Sequence, residues 1–478
     1  MQPAVHTQQS ARDLVARLDR LPSWPHSMSV IWVVGIGYLI AFFDITNVAF
    51  GLPVFSKVLH MTAQQQALPI TASLVGYVIG SWLNSNFADA AGRRSGIAMA
   101  TVLFTVGCIA TTFSDGLTSM VVGRFVTGMG IGAEIAVISA YIGEMAPAPV
   151  RGRYTGLANV FAMVGQGIVP IVALWLVPNF AWGWRAMFLL GALGGLTLFA
   201  FPWLPESPRW LLSKHRIADA EAIVAKAEAT CMRRTGRPLP PLADAAPEVE
   251  AKGFPTFALF KPPFSGRLAL LFVMWFVWYI GTYTWLGLGP TFFVAKGYTL
   301  TNSILFMLAS SIGYPVGSLL ATAIGDTFER KHTILAGMLL WTACFVAIGV
   351  ASSPVLIYVS VFLLAGSLGF FLPLMYALTA ESFPTRARAT GVSLTDGAGH
   401  LGGAVGPILA LSVYAWGGIG SGFTTVFLFM AVSGLLTALL LPFTVKATRR
   451  SLEVVTREAA SSQPLAGRGL EAEKLGRP

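Results

Sequence analysis

Two stretches of this sequence repeat one another: Pro-Val-Arg-Gly-Arg-Tyr-Thr-Gly at residues 149–156 and Pro-Thr-Arg-Ala-Arg-Ala-Thr-Gly at residues 384–391. Five of the eight positions are identical at an offset of 235, and Tyr141 recurs as Tyr376 at the same offset. A second basic loop also occurs twice, at an offset of 237, and its matching residues are Asp89, Arg93 and Arg94 in one copy and Asp326, Arg330 and Lys331 in the other. Recurrence in two loops indicates that the chain consists of two similar units.

The segments between these loops are too apolar for a soluble protein. Of the 478 residues, 55% are hydrophobic and 11% are charged, and the mean hydropathy is +0.68. A helix needs about 20 apolar residues to cross about 30 Å of hydrocarbon. Twelve runs meet this requirement and are numbered spans 1 to 12 in chain order: roughly 28–52, 67–87, 96–113, 116–143, 155–178, 184–204, 268–293, 301–323, 332–351, 354–380, 388–415 and 421–445.

The fold class that follows is an all-α membrane protein with twelve transmembrane helices. The repeat divides these helices into two six-helix halves, 28–204 and 268–445, which we expect to be related by pseudo-two-fold symmetry. A polar central loop, 205–267, joins the halves, and polar tails cover 1–27 and 446–478. In such duplicated membrane proteins the functional site lies between the halves, near the bilayer midplane.

The basic residues predict the orientation in the membrane, because cytoplasmic loops carry the excess of Lys and Arg. With both termini inside, 28 of the 32 Lys and Arg fall on the cytoplasmic side. Lys57, Arg185 and Lys296 fall outside, and Arg124 lies within a span. The net charge of +10 therefore indicates topology and not nucleic-acid binding. We expect a multi-pass protein of the plasma (cell inner) membrane, with an uncleaved first span.

Few residues in the chain are suited to covalent or metal chemistry. Cys108 and Cys344 lie in spans and Cys231 lies in the central loop, which predicts neither a disulfide framework nor a metal site. No nucleotide-binding loop and no nucleophile with a neighbouring base is recognisable in the sequence. We therefore expect no enzyme, no cofactor and no metal; a receptor or membrane enzyme on the same scaffold is the weakest alternative.

Two loop motifs resemble those of a known family. Asp89-Ala90-Ala91-Gly92-Arg93-Arg94 follows span 2, and Pro205-Glu206-Ser207-Pro208-Arg209-Trp210-Leu211 follows span 6. At these residues the chain resembles the major facilitator superfamily, in the branch of sugar porters, metabolite:proton symporters and organic-ion transporters. The second motif matches the family's pattern without a substitution. The first departs from that pattern at Ala90 and at Ser85, which lies four residues before Asp89, and its later copy departs at Glu329. The resemblance implies the major facilitator fold and solute transport by alternating access.

The resemblance also implies a cytoplasmic gate of charged residues that change partners during transport. An Asp at a helix end, beside basic residues and a neighbouring helix terminus, can form a charge-assisted latch between helices. The alternative is that the basic pair only sets the topology. The predicted gate residues are Asp89, Arg93, Arg94, Glu144, Arg151, Arg153, Glu206, Arg209, Asp326, Arg330, Lys331, Glu381, Arg386 and Arg388.

Charged side chains inside spans are costly and therefore mark candidate functional sites. Asp44 in span 1 and Arg124 in span 4 match the acid and the Arg that the resemblance assigns to proton coupling, and a static salt bridge is the alternative. Glu134 lies ten residues beyond Arg124, roughly 15 Å along the helix. It is a second candidate for the proton or for a cationic solute group, or an acid that is merely tolerated in its protonated form.

Polar and aromatic residues in the spans are the candidates for solute binding. Aromatic rings at intervals of four in span 7 line a cavity, or else pack as core or face lipid. An acid early in span 11 contacts the solute or joins the gate. Gln166 matches, by the resemblance, a ligand position of sugar porters. The candidates are Asn47, Asn159, Gln166, Trp275, Tyr279, Tyr283, Asn302, Tyr376, Asp396 and His400.

The departures from hexose porters bear on the solute. Val277 and Trp278 replace a pair of amide side chains in span 7, and Tyr376 replaces a Trp in span 10. We therefore expect a proton-coupled secondary transporter for a small organic metabolite, an organic acid or sugar acid in preference to a neutral hexose. Its partners are the solute, protons and membrane lipids, and we expect a monomer. The alternative is a facilitative uniporter, or an organic-cation or drug exporter in which Asp44, Glu134 and the aromatic rings bind a cation.

The topology yields a direct prediction. A cysteine that replaces Ser461 in the tail lies in the cytoplasm, so a membrane-impermeant thiol reagent added to intact cells should not label it. A cysteine that replaces Lys57, between spans 1 and 2, faces outside and is the positive control. Labelling at both positions at equal rates would reject the topology.

Overall fold

The computed structural model describes residues 12–242, 256–324, 327–383 and 388–445. Within these ranges the chain forms helices and connecting loops without a strand. The all-α prediction is confirmed, and its physical basis is that a helix satisfies its backbone hydrogen bonds internally where no water is available.

Among the residues that the structure describes, twelve helices are long and apolar enough to cross a membrane, as predicted. Span 1 runs past its predicted end because Pro53 is accommodated inside the helix. Spans 11 and 12 are separated by a reversal at Gly418 and Gly420, whose φ angles of +67° and +96° favour glycine. The observed spans are Met28–Val58, Gln64–Ala91, Arg93–Thr112, Leu117–Met145, Arg153–Leu176, Gly183–Trp203, Ser265–Ala295, Leu300–Ala321, Arg330–Val350, Pro354–Glu381, Thr390–Gly418 and Gly420–Phe443.

Glycines bring spans 2 and 4 into backbone contact. A Cβ atom on Gly80 would meet the backbone of Met129, and a Cβ atom on Gly132 would meet the backbone of Tyr77. Small residues at such crossings allow the close packing that drives helix association in lipid. This contact fixes the position of Tyr77, whose ring lies at the centre of the site described below.

A short helix, 12–19, precedes the first span and packs against two helices of the central loop, Pro208–Ser213 and Ile217–Thr235. Leu14 and Leu18 of the first helix are buried in one apolar cluster with residues of both loop helices. The N-terminal tail and the central loop therefore form a layer outside the membrane spans.

The two halves meet at one face of the bundle. The face that carries Arg93 is called the basic face, and the face at which spans 1 and 2 are joined is called the opposite face. At the opposite face the Thr71 hydroxyl donates a hydrogen bond of 2.6 Å to the Ala404 carbonyl, and Ile70 lies against Gly287. One apolar cluster there draws on both halves. Among the described residues, the cluster near the basic face comes from the first half and the tail alone.

The backbone contact between spans 2 and 4 predicts that an added side chain destabilises the protein more at Gly132 than at Gly143. Gly132→Val should lower the thermal unfolding midpoint of the purified protein, because overpacking costs about 1–3 kcal/mol. Gly143→Val is the matched control in the same span, since a Cβ atom there has no neighbour within 4 Å. Equal melting curves for the two variants would contradict the proposed crossing.

Candidate functional site

Asp44 and Arg124 form an ion pair inside the first half. Arg124 Nη1 donates to Asp44 Oδ2 at 2.7 Å, and the two residues are 1% and 0% exposed. Arg124 Nε donates to the Ser73 hydroxyl at 2.9 Å, while the Cys108 thiol lies 3.8 Å from Asp44 Oδ1. The Arg124 guanidinium also lies 5.4 Å from the centre of the Phe188 ring. The pair thus joins spans 1 and 4 and is supported by spans 2, 3 and 6.

Because Asp44 and Arg124 are both buried, the charge of each residue needs the opposite charge of the other. Removing one partner of a buried pair leaves an uncompensated charge and typically costs about 3–5 kcal/mol. Arg124 can therefore leave Asp44 at low cost only if the carboxylate is neutralised, and a proton is the simplest way to do this. The geometry provides the chemistry that a proton-controlled contact needs.

A small cavity lies against Arg124. Its wall combines spans 1, 2 and 4 with a residue of the second half. Ser73, Tyr77 and Tyr283 line it together with Arg124. Sequence reasoning missed Ser73 and Tyr77; both lie on one face of span 2, at a spacing of four residues.

A wider cavity lies between the halves and is bounded by spans 1, 5, 7, 8 and 10. Gln166 lines it, as the sequence suggested, together with Thr46, Trp285, Ser310 and Tyr314. Hydroxyl and amide groups on an otherwise apolar wall are suited to fixing the orientation of a small solute.

The aromatic stripe of span 7 lies inside the protein and does not face lipid. The ring of Tyr279 lies 5.3 Å from the rings of Trp275 and Tyr283. Trp275 is fully buried, and its indole N–H donates to the Thr379 hydroxyl at 3.0 Å. Trp275 thus packs as core, whereas Tyr283 reaches the cavity beside Arg124.

Asp396 belongs to this aromatic cluster and not to the gate. The Tyr279 hydroxyl donates a hydrogen bond to its carboxylate, and the Tyr376 hydroxyl lies 3.5 Å from the Tyr279 hydroxyl. His400 Nδ1 lies 4.0 Å from Asp396 Oδ1. The ring of Tyr77, from the first half, stacks on the ring of His400 at a centroid distance of 4.5 Å. Spans 2, 7, 10 and 11 therefore meet at one acid and one imidazole.

Glu134 is buried without a described partner. Its residue is 3% exposed, and no hydrogen bond or ion pair joins it to any part of the chain that the structure describes. It faces span 1 closely, because a Cβ atom on Gly37 would meet its carboxyl group. Since Arg124 is occupied by Asp44, Glu134 is a separate ionisable site.

Three predicted solute ligands lie outside both cavities and outside the aromatic cluster. Asn302 is exposed in the first turn of span 8, where the Thr299 hydroxyl accepts a hydrogen bond from its backbone N–H. Asn159 is exposed on span 5. Asn47 is buried one turn beyond Asp44, and neither amide atom has a partner among the described residues. Helical spacing identified polar side chains, but it did not give their direction or depth.

A family model described as Sugar (and other) transporter matches residues 27–459. The chain belongs to this family.

Relatives and solved structures agree with this membership. The chain is 29% identical over 440 residues to a putative metabolite transport protein of Bacillus subtilis, covering 89% of this chain and 94% of that protein. It is 28% identical over 408 residues to the niacin transporter of Acinetobacter baylyi, covering 83% and 89%. Its fold matches the crystal structure of a D-xylose-proton symporter with a TM-score of 0.72 at 20% identity, covering 89% and 99%. The protein is a sugar or metabolite transporter of the major facilitator superfamily and not an enzyme, as the sequence predicted.

On the transporter's basic face, Glu144 and Glu206 hold the start of span 3. Arg93 donates to Glu144 from Nε at 3.0 Å and from Nη2 at 2.9 Å. Glu206 accepts the backbone N–H groups of Arg93 at 3.0 Å and of Arg94 at 3.3 Å, where the positive end of the helix favours an anion. Asp89 also pairs with Arg93, but it lies only four residues earlier, in the last turn of span 2, and its side chain is 65% exposed. The latch therefore depends on the two glutamates more than on Asp89.

Asp19 from the N-terminal tail joins this network of charged residues, and sequence reasoning missed it. Both of its carboxylate oxygens accept from Arg209 at 2.7 Å, and one accepts from Arg151 at 3.1 Å. Arg153 is exposed. No motif marks Asp19, because the contact joins segments more than 130 positions apart in the chain.

Glu228 of the central loop anchors the same tail. Arg17 and Arg20 each donate to its carboxylate at 2.7 Å. Burial acts to raise the pKa of Glu228, but the hydrogen bonds from the two guanidinium groups outweigh it and lower the pKa. This contribution to stability is therefore present at neutral pH and is lost as the pH falls through the lowered pKa.

The second half has a corresponding pair of contacts. Arg330 forms an ion pair with Glu381, and Lys331 Nζ donates to the Pro442 carbonyl at 3.3 Å. Predicted gate positions for which the structure describes no side chain are Asp326, Arg386 and Arg388.

The latch can be tested without a solute. Glu206→Ala should lower the thermal unfolding midpoint clearly, because charge-assisted hydrogen bonds are worth about 1.5–3 kcal/mol. Asp89→Ala, the matched control, removes an exposed pair worth about 0.5 kcal/mol. If Asp89→Ala proved the more destabilising change, the assignment of the latch to Glu206 would be wrong.

Proposed function

We propose that the chain is a proton-coupled secondary transporter of a small organic acid or sugar acid, working by alternating access between its two six-helix halves, 28–204 and 268–445. The basic face and both termini are cytoplasmic, the membrane is the plasma (cell inner) membrane, and the protein acts as a monomer. The observation that carries the proposal is the buried pair of Asp44 and Arg124 beside a cavity.

The pair supports a specific coupling scheme. A proton on Asp44 removes the negative charge that holds Arg124, and the guanidinium is then free to attract an anion into the adjoining cavity. Tyr77 and Tyr283 line the same cavity and supply hydroxyl donors for a carboxylate. Proton and anion therefore favour each other's binding, and together they add no net charge to the buried site.

The cation alternative has its own supporting observation. Asp396 lies among the rings of Tyr279 and Tyr376, an arrangement that suits a positively charged or heteroaromatic group. A solute bound beside Asp396 would contact its carboxylate first and the Arg124 guanidinium only afterwards. Transport of tetraethylammonium in preference to carboxylates would favour this reading.

A proteoliposome assay tests the proposal. Radiolabelled nicotinate, gluconate, D-xylose and tetraethylammonium are the probes, each with and without an inwardly directed proton gradient. We expect a carboxylate to accumulate about tenfold or more with the gradient, which corresponds to about 1.4 kcal/mol of coupling. Asp44→Asn should abolish this accumulation and retain exchange of the same probe, because Asn mimics the protonated acid.

Glu134→Gln is the control that separates the two acids, because Glu134 lies in the same half without a described partner. Loss of accumulation in Glu134→Gln alone would transfer the coupling role to Glu134. Full accumulation in both variants would reject proton coupling and favour facilitated diffusion.

A further inference from the structure

His400 lies where the helix of span 11 is locally opened. Ser393–Gly397 forms a π-helical turn, and His400 Nδ1 lies 2.9 Å from the backbone carbonyl oxygen of Asp396. A carbonyl only accepts, so Nδ1 carries the hydrogen of this bond. Nε2 is therefore the nitrogen with a lone pair, and the imidazole can take up one proton without breaking its contact to the backbone.

The surroundings of His400 suit a cation. The Asp396 carboxylate lies 4.0 Å from Nδ1, close enough to balance one positive charge. The rings of Tyr279 and Tyr283 in span 7 lie 4.2 Å and 5.6 Å from the imidazole. The Tyr77 ring lies 4.5 Å away at an interplanar angle of 17°, which is a stacked arrangement. Aromatic faces attract an imidazolium more strongly than a neutral ring.

The titratable groups around this cluster are few. Span 10 contributes Tyr376, whose hydroxyl lies 3.5 Å from the Tyr279 hydroxyl, and span 2 contributes Tyr77. Arg124 of span 4 lines the neighbouring cavity with Tyr77 and Tyr283, but its charge is balanced by Asp44. Asp396 is therefore the formal charge nearest to His400 among the described residues.

Tyr77 makes this contact a bridge between the halves. It belongs to span 2 of the first half, whereas His400 and Asp396 belong to span 11 of the second. Six residues before Tyr77 on the same helix, Thr71 bonds to Ala404 at the closed opposite face. Whatever strengthens the ring contact also favours the conformation in which these two helices stay together.

We propose that His400, balanced by Asp396, is a second proton-binding site, and that its proton stabilises the conformation closed at the opposite face. The proton adds to the Nε2 lone pair, and no other bond is made or broken. The resulting imidazolium stacks on Tyr77 more strongly than the neutral ring does, so closure rises as the pH falls. This proton is distinct from the one proposed for Asp44.

Distance measurements between spin labels test this proposal without a solute. Lys57→Cys at the end of span 1 and Thr301→Cys at the start of span 8 place one exposed label on each half at the opposite face. The native cysteines are buried and stay in place. In reconstituted protein between pH 8 and pH 5, the share of the short distance should rise with a single midpoint.

Two variants test whether the midpoint of the pH response belongs to His400 and Asp396. His400→Gln keeps a polar side chain but cannot be protonated, so the short-distance share should no longer change with pH. Asp396→Asn removes the balancing charge and should move the midpoint down by about one pH unit or more. An unchanged midpoint in either variant, or no pH response in the parent protein, overturns the proposal.

Asp44→Asn separates this site from the proposed coupling. If His400 is the proton site, the pH response of the labelled protein persists in Asp44→Asn, whatever happens to gradient-driven uptake. Loss of the response in Asp44→Asn with retention in His400→Gln would assign the conformational proton to Asp44 and reject His400.

Discussion

Hydrocarbon does not solvate charged groups. In this chain the ion pair of Asp44 and Arg124 is the main contact that compensates buried charge. Either residue alone would be a costly charge at the centre of six helices, whereas together they draw spans 1 and 4 into contact. Asp396 meets the same constraint differently, with a hydrogen bond from the Tyr279 hydroxyl of span 7. Glu134, with no partner among the described residues, is the acid most readily kept neutral by a proton.

Much of the fold could be predicted from the sequence because the bilayer allows few alternatives. Each span needs about 20 apolar residues, and the repeat at two loops indicated the division into halves. The errors lie at helix ends, where local geometry decides. Pro53 continues span 1 because a proline inside a membrane helix can be accommodated by its neighbours, and only the positive φ angles of Gly418 and Gly420 separate the last two spans.

The site could be predicted in part, for the same reason. Charged residues such as Asp44 and Arg124 are easily recognised in the sequence of an apolar span. A buried charge also indicates that a residue of opposite charge lies nearby. Uncharged residues carry no such requirement. Asn302 is polar because it lies at a helix start, and Tyr77 was missed because an aromatic residue in a span is unremarkable until the fold brings it to His400. Contacts between distant segments leave no local pattern in the sequence.

Tyr77 is the residue through which the two ionisable sites can influence each other. It lines the cavity that contains Arg124, and its ring also stacks on His400 in the other half. Its backbone is fixed against Gly132, so the ring can adjust mainly by rotation about its side-chain bonds. A solute that enters the cavity must contact this ring or displace it, and either event alters the stack on His400. Occupancy of the cavity and protonation of the imidazole therefore act on one shared contact between the halves, which is the physical requirement for linking solute binding to the change of conformation.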